Sequence, residues 1–115
     1  MKKMLDDKAR LQHILDAILE IEEYMTTHAE ADFFSNSMLS SACIRQLEII
    51  GEAAGRISKE LRTASPTIRW KEIIGLRNML IHEYFGVDLD IVWEIIQTDL
   101  PGFKNEAKTL LDSLN

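Results

Sequence analysis

The chain has 115 residues, of which 46% are hydrophobic and 28% charged, and a formal net charge of −6. That is the size and balance of one globular domain, residues 1–115, with no room for a second core. Cys43 is the only cysteine, which excludes an internal disulfide and a cysteine-based zinc site.

Apolar runs are too short to span a bilayer, so no membrane association is expected. Met1-Lys2-Lys3 is followed within a few residues by Asp6 and Asp7, which leaves no apolar stretch of the signal-peptide kind. Together with the lone cysteine, this points to a reducing cytoplasm.

The charge is uneven. Residues 56–82 hold six basic side chains (Arg56, Lys59, Arg62, Arg69, Lys71, Arg77) against Glu60 and Glu72, a local +4 that leaves −10 on the rest. A basic surface on an acidic body suits a local hold on a phosphate backbone. The plainer reading is solvated helix charge.

In chain order, Leu11, Ile14, Ile18, Ile21 and Met25 step by three and four and predict a first helix from about Asp6 to Thr27. Thr26 to Ser37 is mixed and polar, a connection that tucks Phe33 and Phe34 into the core. Asn36 or Ser37 caps a second helix, since a short side-chain oxygen accepts from free N–H groups there. Its apolar face runs Leu39, Cys43, Leu47, Ile50, Ala54, Ile57 and Leu61, so it is expected over about Ser37 to Leu61. Gly51 and Gly55 lie inside it, each costing about 1 kcal/mol relative to alanine, and suggest a close backbone approach by another helix.

Thr63 to Ser65 and Pro66 break the pattern. Trp70 opens a third helix through Ile73, Ile74, Leu76, Leu80 and Ile81, ending near Tyr84 or Phe85, where Gly86 suits a left-handed residue. Asp88 caps a fourth helix carrying Leu89, Val92, Trp93 and Ile96. Pro101 marks either the first turn of a last helix or a kink in a continuous one, with Phe103, Ala107, Leu110, Leu111 and Leu114 on its apolar side. There is no strand alternation. The expected fold is all-α, an antiparallel bundle of four to five helices.

The third helix gathers Arg77, Asn78, His82, Glu83 and Tyr84. At about 100° per residue, Arg77 and Tyr84 share a face, and Asn78 and His82 share a neighbouring one. Arg77 and His82 stand roughly 140° apart on an ideal helix, so one chain brings them together poorly. A two-fold partner would supply the second Arg and His across an interface. Histidine exchanges protons near neutral pH, and arginine binds phosphate through a planar fork. That pair suits metal-independent RNA cleavage, with the ribose 2′-hydroxyl as nucleophile and the protein supplying proton transfer and charge stabilisation. Asn78 would orient His82 or bond a phosphate oxygen, and Tyr84 would stack on a base or donate to phosphate. The competing reading is structural: Arg, Asn and His near a helix C-terminus also satisfy its carbonyls and dipole.

Other residues weigh less. Glu52 either forms a carboxylate pair with Glu48 or reaches Arg77 and orients it, but a surface salt bridge is the preferred reading. His13, His28 and His82 lie in separate elements, so no metal site and no cofactor are expected. Trp70 and Trp93 fall at core positions, and Cys43 reads as a small buried hydrophobe.

Arg77-Asn78-Met79-Leu80-Ile81-His82-Glu83-Tyr84 resembles the R-x-x-x-x-H-x-Y pattern of the HEPN superfamily. The segments Leu47–Ala54, Trp70–Asn78, His82–Asp88 and Asp90–Trp93 resemble its HepT-like branch, in the same order and over essentially the whole chain. The resemblance implies an all-helical domain that forms a homodimer or higher oligomer with the motif helices facing each other. It implies an RNA-cleaving toxin of a type II/VII-like toxin–antitoxin pair, with a minimal nucleotidyltransferase as antitoxin. Arg77 and His82 would be the catalytic pair, and Asn78 the polar residue that follows the arginine. Tyr84 would be the tyrosine that receives AMP. The alternative is a non-catalytic helical module that binds nucleotide, or that serves as partner and substrate of a nucleotidyltransferase. A purely structural helical dimer is a third reading.

Overall fold

A computed structural model describes residues 2–81 and 86–115. Among them the order is α1 (Lys2–Met25), α2 (Glu30–Ser35), α3 (Ser37–Gly55), α4 (Lys59–Ala64), α5 (Trp70–Ile81), α6 (Leu89–Glu94), a π-helical turn (Ile95–Asp99) and α7 (Leu100–Ser113). The fold is all-α, with no strand among the described residues.

Helix α3 is the centre, flanked by α1 and α5, and α1 also carries α7. Polar links between α1 and the α3–α4 stretch fix an antiparallel arrangement. Near one end the Gln46 amide donates to the Tyr24 hydroxyl at 3.2 Å. At the other end Asp7 meets Ser58. The expected stripes form the core: Leu11, Ile14, Ile18 and Ile21 from α1; Leu39, Cys43, Leu47, Ile50 and Ala54 from α3; Trp70 and Leu80 from α5; Phe103 and Ala107 from α7. Burial pushes the Cys43 thiol up to about 11, so it stays protonated at neutral pH as a small apolar filler.

Three boundaries differ from the sequence expectation. Helix α1 starts at Lys2 rather than at about Asp6, because Lys2, Lys3, Met4 and Leu5 are all good helix formers with no breaker among them. Asp7 is only 5% exposed. Its carboxylate accepts from the Ser58 backbone N–H at 2.8 Å and from the Ser58 hydroxyl at 2.6 Å. The connection after α1 contains α2, whose first turn is held by the Asp32 carboxylate accepting from the Ala29 N–H at 2.9 Å. Phe33 is fully buried there, but Phe34 is 38% exposed, since neighbouring residues on one short helix cannot both face inward. Helix α3 ends at Gly55, six residues before Leu61. The Ser58 hydroxyl accepts from the Leu61 N–H at 3.2 Å and starts α4. Pro101 fits both readings given for it. It lies in the first turn of α7, preceded by a π-helical turn in which the Leu100 N–H reaches back to the Ile95 carbonyl. Proline has no N–H to donate, and the wider turn rearranges the ladder just before it.

Other signals hold. The Asn36 side chain accepts from Met38 and Leu39 and caps α3. Asp88 accepts from Asp90 and Ile91 and caps α6. Gly86 adopts φ +107°. Trp93 packs its ring against Phe33, with centroids 5.2 Å apart, and Trp70 stands edge-on to Phe103 at 6.5 Å.

The Asp7–Ser58 contact gives a stability prediction. It ties α1 to the start of α4, and hydrogen bonds to a buried ionised group contribute about 1.5–3 kcal/mol. Asp7→Ala is expected to lower unfolding free energy by about 2–3 kcal/mol in urea denaturation, because the Ser58 N–H loses its acceptor. Asp7→Asn, which keeps one carbonyl oxygen, should recover part of that loss. Equal midpoints for Asp7→Ala and the parent would show that the contact adds nothing.

Candidate active site

The best-defined part of the candidate site is the crossing of α3 and α5. These helices run antiparallel, with Gly51 opposite Arg77 and Gly55 opposite Ile74. At Gly51 an added Cβ would lie 2.9 Å from the Arg77 backbone nitrogen and 3.1 Å from the Ile73 carbonyl oxygen. A side chain there would collide with main chain, so Gly51 is what lets α5 come this close. At Gly55 the added Cβ would meet only the Ile74 methyl at 3.7 Å, an ordinary contact. The expected close approach therefore holds at one glycine of the pair.

The consequence falls on Arg77. Its backbone is pinned against α3, while its side chain is exposed. No carboxylate pairs with it among the described residues. Asn78, next on α5, is also exposed. An anchored root with a free guanidinium is an arrangement that can receive a phosphate. His82 and Tyr84, along with Glu83, Phe85 and the expected helix end near Tyr84, lie outside the described residues.

Glu52 is brought to Arg56, not to Arg77. The two form an exposed ion pair at 3.4 Å, and Glu48 pairs with Arg45 at 3.3 Å. The two glutamates thus each hold their own arginine, as the surface salt-bridge reading expects, and no contact supports an orienting role for Glu52. His28 joins its Nδ1 to the Tyr24 carbonyl at 2.8 Å, near the end of α1. His13 is exposed on α1. No group of three His, Cys, Asp or Glu residues suited to hold a metal ion occurs among the described residues.

The basic segment does not form one continuous surface. Arg56 is paired with Glu52. Arg62 is partly buried, and its Nε has no hydrogen-bond partner among the described residues. Arg69 lines a recess of about 330 Å³ between α5 and α7 that also holds Glu72, Asp99 and Glu106. Lys59, Arg69, Lys71 and Arg77 are exposed and without a carboxylate ion pair among the described residues. The sequence reading singled out Gly51 for close approach but did not name Arg77 as what approaches. Nothing in the spacing distinguished that residue from Ile73 or Ile74.

Comparison with known proteins gives a consistent result. A family model described as "Ribonuclease HepT-like" matches residues 14–110. A Methanocaldococcus jannaschii protein named as a gamma-glutamylcyclotransferase and, provisionally, an RNase is 43% identical over 110 residues, which is 96% of this chain. The match spans 50% of that longer protein. A second protein of the same organism, named provisionally as an RNase, is 42% identical, covering 90% of this chain and 94% of its own length. A Thermococcus cleftensis protein named probable ribonuclease HepT is 38% identical over 90% of this chain and 94% of its own. No solved structure matches.

Proposed function

The chain belongs to the HepT-like ribonuclease family, and from that premise we propose that it is the toxin of a toxin–antitoxin pair. In this reading it is a cytoplasmic, single-domain endoribonuclease that works without metal as a homodimer. Arg77 and His82 form the site, completed across the interface. A minimal nucleotidyltransferase partner silences it by placing AMP on Tyr84. The observation that carries the reading is Arg77: its backbone is locked at the α3–α5 crossing and its guanidinium is exposed and unpaired among the described residues.

The chemistry follows from the residue types. A neutral His82 imidazole takes the proton from a ribose 2′-hydroxyl as that oxygen attacks the adjacent phosphorus. The new bond is O2′–P and the broken bond is P–O5′. A protonated imidazole returns a proton to the departing 5′-oxygen. The dimer supplies two histidines, so one acts as base and the other as acid. Arg77 lies over the non-bridging oxygens, where negative charge builds in the transition state. Asn78 holds the imidazole or a phosphate oxygen.

Silencing uses the same geometry. Transfer of AMP from ATP joins the Tyr84 hydroxyl oxygen to the α-phosphorus and releases pyrophosphate. Tyr84 follows Arg77 by seven residues, a spacing that on a continued helix would put the added phosphodiester on the face of Arg77, where it would occupy the guanidinium and repel an RNA backbone. A second reading, a non-catalytic module that is only a nucleotidyltransferase substrate, is favoured by the acidic body and by the pairing of Arg56 with Glu52.

Growth under induced expression tests the proposal. The parent should arrest growth, and co-expression with the nucleotidyltransferase from the adjacent reading frame should restore it. Tyr84→Phe should arrest growth whether or not the partner is present. If the partner silences Tyr84→Phe as fully as the parent, AMP on Tyr84 is not the control.

A further inference from the structure

Gly75 lies in the middle of α5, where glycine loses more conformational freedom on folding than alanine does. Nothing among the described residues requires it, since an added Cβ there meets none of their heavy atoms within 4 Å. Gly51 is the opposite case, excluded from carrying a side chain by the Arg77 backbone. Asn78, three residues further on, is also a weak helix former. It is exposed and makes no side-chain hydrogen bond among the described residues. Two positions one turn apart therefore give up helix stability without a compensating contact among the described residues. Local rules broken in this way point to something outside the chain.

These positions share a face. At about 100° per residue, Lys71, Gly75 and Asn78 fall within about 60° of arc. Ile73, Ile74 and Arg77 mark the side of α5 turned to α3, and by the same measure the Lys71–Gly75–Asn78 face lies about 100–160° round from Arg77, beside that seam and not in it. It is polar and cationic. Lys71 is exposed and has no carboxylate partner among the described residues. Glu72 lies instead in the recess with Arg69, Asp99 and Glu106. Among the described residues the exposed large apolar side chains, which a contact between copies would favour, lie off this stretch of α5, at Met4, Leu5, Leu19, Phe34, Met38 and Ile91, so a dimer meeting at the Arg77–His82 end of the helix leaves the Lys71–Gly75 end polar. A two-fold contact centred on Gly75 would also bring Lys71 near its own copy. A polyanionic backbone suits the face better.

We propose that Gly75 is a substrate-positioning residue. Its missing side chain lets the sugar–phosphate backbone of RNA lie directly against α5, with the Lys71 ammonium and the Asn78 amide taking phosphate oxygens on either side. The proposal rests on the nuclease reading above and extends the RNA path from Arg77 along the helix.

The test compares the parent with Gly75→Ala, Gly75→Leu and Lys71→Ala. Thermal melting, RNA cleavage kinetics, the dissociation constant for a labelled single-stranded RNA and sedimentation are measured for each. Gly75→Ala should melt about 2–6 °C above the parent, and Gly75→Leu should melt no lower than the parent, because the space is open and both residues favour helix. Gly75→Leu should raise KM about tenfold or more while kcat changes less than about twofold, with Gly75→Ala between it and the parent. Lys71→Ala should reduce the salt slope of RNA binding by about one unit. A parent that does not cleave RNA removes the nuclease reading, and the binding measurement then judges Gly75 independently. Unchanged KM and RNA affinity in Gly75→Leu would overturn the proposal, as would melting below the parent. Loss of RNA binding that tracks loss of dimer and recovers at high protein concentration would assign the face to a second copy instead.

Discussion

Gly51→Ala is expected to weaken the protein far more than Gly55→Ala, although the two sites are one helical turn apart with the same residue. At Gly51 the new methyl would sit 2.9 Å from the Arg77 backbone nitrogen and 3.1 Å from the Ile73 carbonyl. Neither atom can rotate aside, so α5 must shift as a unit. Forcing a group into a packed seam costs about 1–3 kcal/mol, a large share of a total stability of about 5–15 kcal/mol. At Gly55 the methyl meets the Ile74 side chain at 3.7 Å, and the gain in helix propensity makes the substitution neutral or stabilising by up to about 1 kcal/mol. In urea unfolding the Gly51→Ala midpoint should fall, while the Gly55→Ala midpoint should hold or rise. Because Arg77 rides on the shifted segment, Gly51→Ala should also lower RNA cleavage under conditions where it remains folded. If the two variants unfold together, the seam is not tight at Gly51 and the anchoring of Arg77 loses its basis.

That contrast also shows how far the sequence could be read. The stripes of α1 and α3 were legible because each repeats the 3.6-residue signal over several turns, so one ambiguous residue does not hide it. The caps at Asn36 and Asp88 were legible because a short oxygen side chain before an apolar-periodic run has few other uses. The break after Gly55 was not. Ile57 and Leu61 continue the apolar spacing, and Ile57 is fully part of the core, so the pattern runs across the turn without a gap. The clue was Ser58, a cap in the middle of what looked like a continuous helix. Gly51 and Gly55 looked equivalent in sequence, yet one admits a neighbouring backbone and the other closes α3. The tie made by Asp7 was not legible, because nothing local announces a partner 51 residues away.

For the candidate site, residue types and spacing were enough to place Arg77 and Asn78 on one helix and to relate the chain to a nuclease family. They did not reveal that the surrounding basic residues differ in their settings: Arg56 is paired with Glu52, Arg62 is partly buried and Arg69 lines a recess. Which acidic side chains lie near each arginine depends on how the other elements fold around it. Arg69 meets a recess bearing Asp99 and Glu106 from the C-terminal part of the chain, a neighbourhood that local spacing cannot supply.

The second large effect is catalytic. Removing a positioned proton-transfer group lowers rate by about 10²–10⁴-fold. Removing a cationic donor from the developing charge costs about 10²–10³-fold. His82→Ala and Arg77→Ala should therefore both be nearly inactive while unfolding close to the parent, since Arg77 is exposed and its backbone seam is untouched by the change. Arg77→Lys should recover only part of the rate, because an ammonium cannot reproduce the two-pronged grip on a phosphate.

The most direct measurement is cleavage of a mixed RNA substrate in EDTA by purified protein shown by mass spectrometry to carry no AMP. Parent, His82→Ala and Arg77→Ala are assayed side by side. The account predicts that the parent cleaves despite chelation, leaving 2′,3′-cyclic phosphate ends, and that both variants lose at least about 10²-fold. Equal, negligible cleavage by all three folded proteins would contradict it, and so would cleavage by the parent that the two substitutions leave unchanged.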